Sequence, residues 1–276
     1  MACKSAEPRA AAEKAAERVE AAKAEAGSAI LPQDHVHAQL GSFRRRVDAS
    51  LHAIRRATEV GAIGVSFSGG KDSVVSLDLV RMVSRDAPAA FFDSGAEVLG
   101  TAEMVAHVGA QTILPRMSML DMARYAGWWG YADPVDKTCG FDAKATLMGE
   151  PSETFVVKNR LRVIAHGVRG SESHARAMHT ASRGELYRGK DGTWYCMPLA
   201  RWSLDDVWAY IASRDLRYHR AYDVLTTAGI PREMQRVSGA LGERGSGWGR
   251  HTAMRMIDPD GWRKLVAEFP RIGING

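Results

Sequence analysis

The sequence predicts an α/β fold: an open parallel sheet with helices on both faces. Three observations lead there. Short apolar stretches alternate with helical patterns between residues 62 and 166. The first stretch, Ala62–Phe67, runs straight into a turn of small residues, Ser68-Gly69-Gly70-Lys71-Asp72-Ser73. A second such turn, Gly167–Arg176, follows the stretch Leu161–His166. Alternating strands and helices build parallel sheets, because a parallel crossover needs a helix to return the chain. Ligands of such sheets bind at the carboxyl ends of the strands. Ser68, Asp93 and Arg169 are all expected on that edge.

The elements follow in order. Residues 1–33 form an Ala/Glu/Lys-rich helical extension, with high helix propensity from Arg9 to Ala26. It has few large apolar residues, so it is read as an exposed helix, either a partner-binding arm or a solvated extension. Gly27 and Pro32 end it. Val47, Leu51, Ile54 and Ala57 predict a helix leading into the first strand. Strand Ala62–Phe67 precedes helix Asp72–Ser84, whose Val74, Val75, Leu77 and Leu79 are apolar. Strand Ala89–Phe92 precedes helix Thr101–Val108, and strand Gln111–Leu114 precedes helix Met119–Ala126. A long, poorly patterned stretch leads to strand Leu161–His166. Thr193–Met197 is strand-like, with Cys196 packed inside. Ser203 is a good N-cap with Asp206 three residues on. Val207, Tyr210 and Ile211 then form an apolar stripe, and Trp202 and Trp208 belong in the core. Residues 226–276 form a last segment. There Gly239, Gly242, Gly245, Gly247 and Gly249 alternate with Arg236, Arg244 and Arg250. This stretch reads equally as a basic loop closing over phosphate, a nucleic-acid contact or a plain mobile loop. A short amphipathic helix with Trp262, Leu265, Val266 and Phe269 ends at Pro270.

Composition bounds the function. The chain has 276 residues, 45% hydrophobic and 25% charged, as globular proteins do. No run of 18 apolar residues could span a membrane, and Met1–Pro8 lacks the apolar core of a signal peptide. Cys3, Cys139 and Cys196 make neither a disulfide framework nor a C-x-x-C metal site, so a cytoplasmic location is expected. The net charge of +5 suits an anionic ligand; the basic run Arg44–Arg46 is short.

The chemistry concentrates in two turns. Gly69 and Gly70 let backbone approach a ligand closely, and the unpaired amides of a helix start attract phosphate. Ser68 and Ser73 can donate hydroxyl hydrogen bonds. Lys71 adds a mobile cation, and Asp72 can hold Mg²⁺ or cap the helix. The spacing fits neither a Walker A loop nor a G-x-G-x-x-G turn. Asp93 closes the second strand, to orient a ribose, an adenine, a substrate or a metal, or simply to make the turn. After Gly167, Arg169 and Arg176 offer forked donors for phosphate or sulfate. Ser171 can cap the next helix and Glu172 can orient an arginine.

These strings resemble known ones. Ser68–Ser73 looks like the SGGxDS pyrophosphate loop of the adenine-nucleotide alpha-hydrolase (PP-loop ATP pyrophosphatase) superfamily. Gly167–Arg176 resembles the G-[IV]-R-x-x-E-S-x-x-R signature of the phosphoadenosine phosphosulfate (PAPS) reductase family. Met197–Ile211 resembles a segment shared by PAPS reductases, the ATP sulfurylase small subunit and the DNA phosphorothioation sulfur-activating protein. The turn at Asp93 matches in part: Thr101 is present, but Gly100 replaces a glutamate. The resemblance covers residues 60–225 and makes residues 34–225 a PAPS reductase-like nucleotide-binding domain with a Rossmann-like sheet. It implies ATP, or PAPS or its relative APS, bound by Ser68, Gly69, Gly70, Lys71, Asp72, Ser73, Asp93, Gly167 and Arg169. Lys71, Asp72, Arg169 and Arg176 would be catalytic, with Mg²⁺ on Asp72.

The pattern also departs from the family. Sulfonucleotide reductases carry a cysteine in a C-terminal Glu-Cys-Gly-Leu-His-like tail, and no Cys follows Cys196 here. Three cysteines cannot ligate the cluster of the iron–sulfur type, so no such cluster is expected. Cys139 lies where relatives carry a Cys-x-x-Lys element, with a longer spacing to Lys144; it is a sulfur carrier or an incidental loop residue. The first expectation is therefore an ATP pyrophosphatase-type nucleotidyltransferase acting on a small anionic acceptor. The alternatives are a reductase using Cys139 or a sulfur-transfer partner's thiol, and a nucleotide-binding subunit of a nucleic-acid-modification complex. A homo-oligomer is expected.

Overall fold

The computed structural model describes residues 27–238 and 246–272. The expected helix from Arg9 to Ala26 lies outside them. Helices α1 (Pro32–His37) and α2 (Gly41–Val60) lead into strand β1 (Ile63–Ser66). Then come α3 (Lys71–Val83), β2 (Ala89–Phe92), α4 (Thr101–Val108), β3 (Gln111–Ile113) and α5 (Met119–Ala126). A π-helical turn, Ala145–Gly149, opens α6 (Glu150–Lys158), followed by β4 (Val163–His166). Next are α7 (His174–Arg183), β5 (Leu186–Arg188), β6 (Trp194–Cys196), α8 (Leu204–Arg214) and α9 (Ala221–Thr227). Helices α10 (Ser246–Ile257) and α11 (Pro259–Glu268) follow.

The six strands form one sheet in the order β3-β2-β1-β4-β6-β5. All neighbours are parallel except β5, which runs antiparallel to β6. The sheet is thus mostly parallel with one antiparallel edge strand. Strand order reverses between β1 and β4, where Ser66 sits opposite His166. A crevice opens at such a reversal, since the connections leave on opposite sides.

Alternation along the strands explains the layers. In β2, Ala89 and Phe91 join the main core, whereas Ala90 and Phe92 face a second cluster with Phe155 of α6 and Leu161. Both faces are therefore covered, as a mainly parallel sheet requires. On the main face α2 packs on α3, and α3 on α8. Trp202 and Trp208 are buried there, as their apolar neighbours predict. Ser203 caps α8, accepting from the Asp206 amide at 3.1 Å, while Asp206 accepts from Ser203 N at 2.7 Å. A third cluster gathers Met122 of α5, Trp128, Trp129, Phe141, Leu265 of α11 and Phe269.

Three parts differ from expectation. Helix α6 lies in the stretch that showed no pattern, because it buries only Pro151 and Phe155. Strand β5 is three residues of half-buried and exposed side chains, too short to show a period. Gly247, Gly249 and Arg250 belong to α10, and Arg250 is buried, so it is not a cation of an exposed basic loop. Gly239, Gly242, Arg244 and Gly245 lie outside the described residues.

Candidate active site

After β1 the chain turns through Ser68 and Gly69, and Gly69 has φ +75°. That is the left-handed region, which glycine adopts without a Cβ clash. Gly70 is the N-cap of α3. Ser73 braces the turn from inside: its Oγ donates to Gly70 O at 2.8 Å and accepts from Ser68 N at 3.2 Å. The Gly69 and Gly70 amides make no hydrogen bond to a described residue. The Lys71 amide donates to the Tyr222 hydroxyl at 3.3 Å. The cradle is therefore a braced turn at a positive helix end with donors to spare.

Two charges lie behind it. The Lys71 side chain is 1% exposed, with Nζ 3.2 Å from Asp72 Oδ2 and 5.2 Å from the centre of the Tyr222 ring. Arg169, also buried, donates through Nε to Asp72 Oδ1. Burial alone would raise the Asp72 pKa, but Lys71 and Arg169 outweigh it and hold the carboxyl below its ordinary range. The Arg169 Nη1 donates to Ser171 Oγ at 2.9 Å, and Ser171 donates in turn to Trp202 O at 2.9 Å. Ser171 is thus a link to the segment before α8. The cap of α7 is Ser173, which accepts from Arg176 N at 3.3 Å.

Gly167 explains how β4 reaches the cradle. A Cβ there would sit 2.5 Å from Asp72 O and 2.9 Å from Ser73 N. Only glycine lets the end of β4 lie against the first turn of α3.

Glu172 collects cations. It accepts from Arg169 N at 3.1 Å and from the Arg176 side chain, and Arg236 Nη2 lies 3.9 Å away. The structure therefore brings Ser68, Gly69, Gly70, Lys71, Asp72, Ser73, Gly167 and Arg169 together, with Arg176 at the rim. Asp93 sits at the end of β2 on the same sheet edge, and its Oδ1 accepts from Gly95 N at 2.8 Å as a turn residue. Cys139 is half-buried in the loop after α5 and shares no hydrogen bond or ion pair with the cradle. Cys196 is packed, and burial pushes its thiol up to about 12.

Further residues frame the cradle, and of these Thr101 alone belongs to a motif legible in the sequence. Tyr222 comes from α9, and Ser238 Oγ lies 3.1 Å from where a Gly70 Cβ would be. Thr101 Cγ2 stands 3.2 Å from the corresponding point on Gly69, and its Oγ1 is 3.3 Å from His219 Nε2. His219 Nδ1 accepts from Ala221 N at 3.1 Å, so the neutral ring carries its proton on Nε2, toward Thr101. Burial, with Arg220 nearby, pushes His219 down to about 4.

Among the described residues no group of three or more His, Cys, Asp and Glu is placed to hold a metal ion. Both Asp72 oxygens already meet cations, Lys71 Nζ and Arg169 Nε, so Mg²⁺ at Asp72 would have to share the carboxylate with them and fill its shell with phosphate oxygens and water. No helix of the described residues is long and apolar enough to cross a membrane.

Comparison with known proteins bears on the family and the fold. The chain is similar to the uncharacterized protein YbdN of Escherichia coli (strain K12), 24% identical over 86% of this chain and 66% of that protein. It is 28% identical to the uncharacterized protein MJ0973 of Methanocaldococcus jannaschii over 59% of this chain and 38% of that protein. The chain thus spans less than two-thirds of either relative. A crystal structure of phosphoadenylyl-sulfate (PAPS) reductase from Candida auris, a phosphate complex, shares the fold. It has a TM-score of 0.50 and 16% identity, over 71% of this chain and 93% of that one. The family model for the phosphoadenosine phosphosulfate reductase domain matches residues 62–273, which contain the whole sheet and cradle. The chain belongs to the phosphoadenosine phosphosulfate reductase domain family.

Proposed function

We propose that this chain is a nucleotidyltransferase of the PP-loop type, splitting ATP between its α- and β-phosphates. The observation that carries this reading is the cradle: Gly69 and Gly70 amides at the start of α3 with no partner among the described residues, and the buried Lys71 ammonium behind them. The β- and γ-phosphates would rest on Ser68–Ser73. An acceptor oxygen attacks the α-phosphorus, the bond to the α,β-bridging oxygen breaks, and pyrophosphate leaves with that electron pair. The adenylyl group ends on the acceptor. Lys71 and the two amides stabilise the charge that builds on the leaving pyrophosphate. Arg169, fixed on Asp72, is a positioning residue for that carboxylate. Mg²⁺ held by Asp72 would neutralise phosphate charge. Arg176, at the rim and paired with Glu172, would guide a small anionic acceptor such as sulfate. Asp93 would face the nucleoside from the adjoining strand end. The active species is taken to be a cytoplasmic homo-oligomer.

A second reading follows from the family itself: reduction of PAPS or APS by a thiol, from Cys139 or from a sulfur-transfer partner. One experiment separates the readings. Pyrophosphate release from Mg²⁺-ATP is measured with and without sulfate, beside thiol-dependent sulfite release from PAPS. Pyrophosphate release supports the transferase, with Lys71→Met expected to abolish it. Sulfite release alone replaces it with the reductase. Silence in both, with ATP bound, assigns the chain to a complex whose activity needs partners, nucleic acid included.

A further inference from the structure

A second cluster of cations stands apart from the cradle. A cavity of about 290 Å³ opens between α2 and the segment before α8, lined by Arg45, Arg46, Arg201 and Glu185 among others. Three guanidinium groups line it, and two of them are paired, Arg46 with the buried Asp206 and Arg201 with Glu185. Arg45 is exposed and has no carboxylate partner among the described residues. Arg46 engages the buried Asp206 through Nη1, at 2.7 and 3.0 Å. Arg201 engages Glu185 through Nε at 2.5 Å. The Nη2 of Arg46 and both Nη atoms of Arg201 make no other hydrogen bond among the described residues. Guanidinium forks with spare edges match tetrahedral oxyanions better than any other side chain does.

We propose that this cavity is a second anion site, taking a phosphate or sulfate group together with the unit that carries it. Its volume exceeds that of a bare oxyanion and lies at the small end of ligand pockets. The floor is rigid: Ser50 Oγ donates to Pro198 O at 2.6 Å and accepts from Trp202 Nε1 at 2.9 Å. The same segment holds the Arg169 turn, since Ala200 O accepts from Gly170 N at 2.8 Å and Trp202 O accepts from Ser171. An anion on Arg45 and Arg201 therefore sits one short segment away from the residue that positions Asp72. The group belongs either to a small phosphorylated molecule or to a phosphodiester backbone.

The test uses the full chain carrying Lys71→Met, which removes a cationic contribution of the cradle. Binding of inorganic phosphate is followed by calorimetry at low salt, and binding of a labelled short thymidine oligonucleotide by anisotropy. The double variant Arg45→Ala/Arg201→Ala is expected to weaken phosphate binding by about ten-fold or more, the loss of charged hydrogen bonds. Ala49→Trp, which fills the cavity without changing charge, should do the same. Arg85→Ala, an exposed arginine elsewhere, should not. Loss of oligonucleotide binding in the same two variants identifies a phosphodiester; loss of phosphate binding alone identifies a small molecule. If both variants bind both probes as the Lys71→Met parent does, or neither probe binds the parent, the second site is overturned. Failure of ATP turnover would leave this result untouched, so it stands apart from the reading of the cradle.

Discussion

Arg169 and Asp72, 97 residues apart, meet side chain to side chain across the point where the strand order reverses. The pair joins the turn after β4 to the first turn of α3, and Lys71 completes it from the other carboxylate oxygen. Removing one partner of a buried ion pair strands the other charge. Arg169→Ala should lower stability by about 3–5 kcal/mol in urea titrations. Arg169→Lys keeps the charge but loses the fork, and should keep the fold while lowering pyrophosphate release by about ten-fold. Equal turnover in Arg169→Lys and wild type would show that fork geometry is irrelevant to the site.

Gly167→Ala places a methyl group inside contact distance of the α3 backbone. Backbone cannot rotate away as a side chain does. The expected cost is about 1–3 kcal/mol, with weakened ATP binding because the cradle must shift. A variant with unchanged melting temperature and ATP affinity would contradict the close approach.

Tyr222→Phe keeps the ring against Lys71 and deletes the hydroxyl that accepts the Lys71 amide. The loss of one neutral hydrogen bond should raise KM for ATP about three-fold, with little change in kcat. A fall in kcat with KM unchanged would instead give Tyr222 a part in the chemistry.

His219 links folding to pH. Its folded value is pushed down to about 4 from 6.5. Between these values the unfolded chain binds the extra proton, so stability falls as pH drops from 6.5 to 4 and is level above. The contribution is roughly 3 kcal/mol across that window. His166, pushed down to about 4 by burial, has the same sign. The measurement is therefore the difference in urea midpoint against pH between wild type and His219→Gln. The wild type should show the steeper acid loss; parallel curves would mean that His219 is accessible to protons when folded.

The sequence by itself determined the parallel strands, the turn after β1 and the turn after β4, but not the antiparallel edge strand β5. Strand periods, the Gly69-Gly70 pair and the Gly167–Arg176 run are local patterns, written in consecutive residues. The same is true of the Ser203–Asp206 cap. What only the tertiary structure decided are meetings between distant segments. Tyr222 and Ser238 approach the cradle from beyond α8, and His219 reaches Gly69 through Thr101. Nothing in their neighbours marks them, because their partners are set by packing. Ser171 shows the limit most clearly. Its position before α7 suggested a cap, yet Arg169 and Trp202 claim its hydroxyl and Ser173 takes that place. Arg250 stands among glycines in the sequence, but burial beside Glu97, 3.1 Å away, fixes it inside the fold. Local sequence sets which bonds a residue can make; the fold sets which partner is within reach.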